Sequence, residues 1–186
     1  MLIELLATAA VFAFSLAWRT HDLAHQTQLV VYSLRNHTAI SVVDGFRQVL
    51  LCDGGLLEEP SSIDYSMKGY WAERQLPMNP LCYTLDEDIS EELVWKRDNL
   101  ISANGRLLAL WDPAATDGGR CRLAVDFLLV REKQPPDVRK LLGRYRVGTL
   151  LIDGSVPEYL AVEWIRQAET HGLPCRNLRE GAIVLN

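Results

Sequence analysis

Residues 2–18 (LIELLATAAVFAFSLAW) contain 14 apolar members out of 17, a density that a soluble domain does not leave contiguous on its surface. Three structures accommodate such a run: a signal peptide, a membrane-spanning helix, or an amphipathic helix packed on the domain. A signal peptide opens with a positively charged stretch, whereas here the only early charge is Glu4 and the first base is Arg19. A full span takes about 20 apolar residues and tolerates about 17, and Trp18 followed by Arg19 suits the point where a helix leaves the hydrocarbon. The run therefore predicts a membrane helix over residues 1–20, either a single pass or the last of a longer bundle, with a docked soluble helix as the alternative. Residues 21–27 read as a polar connector. One arginine is too little to set an orientation.

With that run set aside, the rest of the 186 residues is an ordinary globular chain. The whole is 48% apolar and 23% charged, and residues 19–186 alone are roughly 44% apolar, a normal soluble composition. The net charge of −5 argues against a domain that holds nucleic acid through its overall field. The charge is uneven: residues 56–98 hold ten acids and four bases, and residues 119–186 hold eleven bases and eight acids. Cys52, Cys82, Cys121 and Cys175 are far apart with no C-x-x-C pair, so they read as free, mostly buried thiols rather than a zinc ribbon.

Strand patterns begin at residue 28. QLVVYSL (28–34), TAISVVD (38–44) and RQVLLCD (47–53) are rich in aliphatic residues and separated by turn-like segments, which predicts an antiparallel three-stranded meander. Asp53-Gly54-Gly55 reads as a turn with two residues free to take positive φ. Short helices are predicted over 62–75 and 86–92, and a strand over 105–112 after the turn Asn104-Gly105. The last third has the clearest order: strand 123–130, helix 137–145, strand 147–153, helix 158–172 with Leu160, Trp164 and Ala168 at helical spacing, then strands 175–178 and 181–186. A βαβαβ order needs crossovers and parallel pairing. The whole predicts an α/β (α+β) sandwich of two or four layers over residues 28–186.

The run QLVVYSLRNHTAISVVDGFRQVLLCDGG (28–55) is similar to the opening of the metallo-β-lactamase-like domain of ComEC-type competence proteins. The closing VGTLLIDGSVPEYLAVEWIRQAETHGLPCRNLREGAIVLN (147–186) resembles the end of one branch of that family. The apolar run stands where the family's last transmembrane helix would be. In zinc-bearing members the strand before the first crossover helix leads into His-x-His-x-Asp-His, a loop whose imidazoles and carboxylates hold zinc and lower the pKa of bound water to about 7. The equivalent loop here reads Arg131-Glu132-Lys133-Gln134-Pro135-Pro136-Asp137, and no histidine occurs between His37 and His171. The resemblance therefore implies a degenerate, metal-free version of the domain, with no catalytic, cofactor or metal residue carried over. Asp53 and Asp153, at strand ends beside glycines, read as turn caps.

The remaining candidates each have an ordinary structural role as the alternative. Arg131, Lys133, Arg139, Lys140, Arg144 and Arg146 surround the first crossover helix with only Glu132 and Asp137 among them, and form the candidate DNA-contacting group; a solvated helix face is the default. Trp71, Trp95, Trp111 and Trp164 read mostly as core rather than as stacking platforms. His21 and His25, four apart, read as a polar helix face. Asp44 and Tyr32 read as structural.

The resemblance implies a non-catalytic extramembrane domain that assists transport of single-stranded DNA across the inner membrane in natural transformation. Its partners would be the membrane through residues 2–18, single-stranded DNA, and channel helices of the same or a companion protein. A chain lacking such helices would be a fragment, a split gene product or an associating module. Two other classes stay open: a metal-dependent hydrolase of the same fold with atypical ligands, and a membrane-tethered protein-interaction module.

Overall fold

The structure is a computed structural model and describes residues 1–34, 37–113, 122–131, 133–134 and 137–185. The apolar run forms one helix, α1 (Leu2–Ala24), running unbroken through Trp18 into the polar residues. By length and composition its segment Ile3–Ala24 can cross a membrane, with mean hydropathy 1.3, and its most apolar stretch is not covered by the rest of the chain. The helix is nevertheless fixed at its C-terminal end. Leu23 is buried, the Gln26 Nε2 donates to Gly45 O (2.8 Å) and Arg74 O (3.2 Å), and Gly45 N donates to Gln26 O (2.8 Å). Arg19 also reaches Glu73 O.

Strands β1 (Thr27–Ser33), β2 (Thr38–Asp44) and β3 (Arg47–Cys52) form the expected antiparallel meander. β2 is buried on both faces, because one face meets the second sheet and the other a helix; this explains the imperfect alternation of its sequence. The Gly45–Phe46 turn depends on glycine twice. Its φ is +58°, and a Cβ there would lie 2.9 Å from Ala24 O. Gly45→Ala is expected to cost about 2 kcal/mol through the left-handed backbone and the clash, seen as a lower urea midpoint of the full chain in detergent.

After β3 the chain forms a single helical turn, α2 (Gly54–Leu57), and then α3 (Pro60–Glu73). The expected turn at Asp53-Gly54-Gly55 is thus helical, and neither glycine has positive φ. Gly55 is required by closeness instead, since a Cβ would meet the His37 ring at 3.2 Å. Strand β4 (Leu81–Thr84) joins β3 in parallel.

The predicted helix over 86–92 does not form. Residues 89–90 make β5 (Ile89–Ser90), which pairs with β6 (Val94–Arg97), followed by β7 (Leu100–Ala103) and β8 (Arg106–Leu110). Ile89 is buried in the core, and the acidic turn before it is held by Lys96, whose Nζ donates to Glu87 O (2.9 Å) and Asp98 O (2.8 Å). The Asp88 carboxylate accepts from Asp98 N, a side-chain alternative to helical bonding.

The last third follows expectation: β9 (Leu123–Val130), α4 (Val138–Arg144), β10 (Tyr145–Ile152), α5 (Glu158–Thr170), β11 (Cys175–Asn177) and β12 (Ile183–Leu185). α5 ends at Gly172 (φ +65°) with Leu173 N donating to Ala168 O at 2.9 Å. The strands make two sheets, ordered β12-β1-β2-β3-β4 and β11-β10-β9-β8-β7-β6-β5, with β8 to β11 parallel. An apolar core between the sheets includes Val31, Ile40, Leu51, Ile101, Leu108 and Leu129. Outside it, Met67 and Trp71 of α3 cover the first sheet, and Leu141, Leu160 and Trp164 of α4 and α5 cover the second. The architecture is a four-layer α/β sandwich.

The sheets share an orientation that organises the molecule. β1 leaves α1, β2 returns toward it, and β3 and β4 start there. Asn104, in the turn between β7 and β8, donates to Gln28 O and Val43 O at 3.1 Å each, so β8, β9 and β10 also start at this root end. Leu34, Thr38, Asp53, Arg131 and Asp153 lie at the far end.

Candidate functional site

Strand ends of parallel sheets are where α/β folds place chemistry, because each crossover leaves a loop there. At the far end four separate segments converge. Thr38, opening β2, donates its main-chain N–H to the Asp53 carboxylate (2.6 Å), while Asp53 N donates to Thr38 O (3.1 Å). The Thr38 hydroxyl donates to Asp153. Arg131, the first residue after β9, places its guanidinium 3.1 Å from the other Asp53 oxygen. Asp153, just past β10, accepts from Ser155 N (2.8 Å) and donates its own N–H to Val130 O (2.9 Å).

Asp153 is fully buried, and desolvation pushes its carboxyl above the usual carboxylate range, with Thr38 and Ser155 opposing. Gly154 lets this loop close: a Cβ there would meet Ser33 Oγ at 3.1 Å and Leu34 O at 3.2 Å. Beside the cluster a cavity of about 380 Å³ is lined by Leu34, His37, Leu56, Glu59, Ser62 and Tyr65, among others. The His37 Nε2 lies 3.8 Å from Glu59.

The arrangement does not fit zinc. Both oxygens of Asp53 and both of Asp153 accept hydrogen bonds from the protein itself. A fixed guanidinium stands next to Asp53, in the loop where the family resemblance puts histidines. Among the described residues, no group of three or more His, Cys, Asp or Glu is placed to hold a metal ion. The cluster ties the far ends of the two sheets together.

The six basic residues are not one patch. Lys133 and Arg139 are exposed. Lys140 donates to Pro113 O (2.8 Å), and Arg144 donates to Asp112 O and lies over the Tyr145 ring. Arg131 is committed to Asp53. Arg146 pairs with Ala124 at the start of β10, which puts it at the root end, a strand's length from Arg131.

The other candidates settle as structure. Trp71, Trp111 and Trp164 are buried, whereas Trp95 is exposed. Tyr32 is buried and accepts from Trp71 Nε1 (3.0 Å), Asp44 pairs with Arg47, and the rings of His21 on α1 and His25 at its C-cap are exposed neighbours. Cys52, Cys82 and Cys175 are free, though Cys82 is exposed rather than buried; burial pushes the Cys52 thiol up to about 12 and Cys175 to about 11. Cys121, Glu132, Pro135 and Pro136 lie outside the described residues. Sequence reasoning missed Thr38 and the Arg131–Asp53 pair; the sequence shows a polar residue at each of these strand ends, but β2 and β3 lie in one sheet and β9 in the other, so their pairing is set by how the two sheets stack.

No curated protein and no solved structure matches the chain significantly. The model of the ComEC C-terminal domain matches residues 29–186, from the third residue of β1 through β12 and every element of both sheets. The chain therefore belongs to the family of ComEC C-terminal domains, a membrane-associated family of competence and DNA uptake.

Proposed function

We propose that residues 28–186 are a non-catalytic extramembrane domain of metallo-β-lactamase-like architecture, held at the inner membrane by residues 1–20; the expected connector 21–27 is instead the end of α1 (to Ala24), His25–Gln26 and the first residue of β1. The domain assists passage of single-stranded DNA. The observation that supports it best is the far-end cluster: the carboxylates a hydrolase would use are bonded to Thr38, Ser155 and Arg131. Two sheets with helices on both outer faces agree with the fold, and the long exposed α1 agrees with the tether.

Two measurements test it. Purified chain equilibrated with zinc and then desalted is expected to hold far less than about one zinc per chain and to show no phosphodiesterase activity; stoichiometric zinc, lost together with such an activity in Asp53→Ala, would overturn the reading. Binding of single-stranded oligonucleotide against salt is expected to weaken in the Lys133→Ala/Arg139→Ala double variant. The log–log salt slope should fall by about 0.7 for each phosphate that the variant no longer neutralises. No binding at low salt would favour a protein-interaction module.

A further inference from the structure

The root end carries a set of exposed apolar side chains that the uptake reading does not use. Phe46, Met78 and Leu81 are 40%, 43% and 61% exposed. Phe46, Pro77, Pro80, Leu81 and Leu93 line one cavity of about 320 Å³, so they form a continuous rim, with Met78 between Pro77 and the rest. Phe46 follows Gly45, whose backbone is bonded to Gln26, and Leu81 opens β4 at the same end as Arg47 and Val49 of β3.

We infer that this rim is seated in the headgroup layer of the bilayer that α1 enters. The inference rests on reading α1 as a membrane-spanning helix. Distance carries it further: with Trp18 at the edge of the hydrocarbon, the six residues from Arg19 to Ala24 add about 9 Å of helix, a rise of about 7 Å at the tilt of about 40° that membrane helices reach, within a headgroup layer about 5–8 Å deep, and Arg19 meets Glu73 O at the end of α3 near the start of that rise. The bonds from Arg19 and Gln26 to Glu73, Gly45 and Arg74 leave no slack between helix and domain, so the domain cannot ride away from the surface. The contact is apolar rather than electrostatic. Arg47, the cation on the rim, is bonded to Asp44 and Glu92, and Glu91 lines the same cavity.

The test uses the full chain in phosphatidylcholine vesicles, with and without phosphatidylglycerol. Benzoylphenylalanine is placed in turn at Phe12, Met78, Leu81 and, as the far-end control, Tyr65, which is 94% exposed. Light-induced lipid adducts are read by mass spectrometry. Adducts are expected at Phe12, Met78 and Leu81, absent at Tyr65, and in equal yield in both vesicle types. Adducts at Phe12 alone overturn the seating and leave the spanning helix standing, whereas absence at Phe12 overturns the spanning helix and the inference with it. Adducts at Met78 and Leu81 only with phosphatidylglycerol overturn the apolar contact.

Discussion

Asp153→Ala will destabilise the full chain by about 3 kcal/mol, because it removes the acceptor for both the Thr38 hydroxyl and the Ser155 N–H at a fully buried position. Hydrogen bonds to charged groups are worth about 1.5–3 kcal/mol each, and relief of a buried carboxylate offsets part of the loss. Asp153→Asn keeps the shape and an acceptor and will behave differently. The folded carboxyl titrates above its usual range, so the native state holds the proton more tightly than the unfolded chain. That stabilising contribution is fully present below the unfolded value and is lost as pH rises through the raised folded value. At neutral pH the wild type therefore carries a burial penalty that the asparagine variant lacks. The variant is expected to equal or exceed it in stability there, and to lose ground as pH falls toward about 4. Urea unfolding at several pH values in detergent checks this. An asparagine variant as damaging as alanine, with no pH trend, would mean that the ionised carboxylate itself is required, as a cation ligand would be.

Trp164→Ala is expected to cost about 3–5 kcal/mol, a large share of the roughly 5–15 kcal/mol that holds a typical domain folded. Trp164 is 1% exposed and sits in the layer that α4 and α5 make over the second sheet. Trp164→Phe should cost much less. Among the described residues the indole N–H finds no acceptor, so the smaller ring gives up packing but also removes a buried donor worth about 1–3 kcal/mol when unsatisfied. Thermal melts by circular dichroism should rank the wild type and phenylalanine variant well above alanine; an alanine variant within about 1 kcal/mol of wild type would contradict the packing of this layer.

What the sequence made legible follows the length and purity of its patterns. β1 to β3 and the β9-to-β12 succession are long aliphatic runs or helices with one apolar face, and both are readable from the residues alone. The stretch from 76 to 104 is not. β5 has two residues and β4, β6 and β7 have four each, and Lys96 occupies a fully buried position in β6, which makes an inward-facing site look like a solvent-facing one. The far-end cluster is half legible. Asp-Gly at two strand ends is visible in the sequence, but Thr38 and Asp153 are 115 positions apart and Arg131 and Asp53 are 78 apart, so only topology joins them. The basic group fails the other way: its six members are close in sequence, and the direction of β10 carries Arg146 to the opposite end.

The fastening of α1 to the sandwich has a mechanical meaning. If α1 spans the bilayer as proposed, a helix joined to its domain without a hinge is a lever, and motion of the arm inside the bilayer is delivered to the arm outside it. β1 alone, at seven residues, makes the outer arm more than about 20 Å long. A change of helix tilt of about 20°, within the range membrane helices adopt, would swing the Thr38–Asp153 end sideways by about 7 Å.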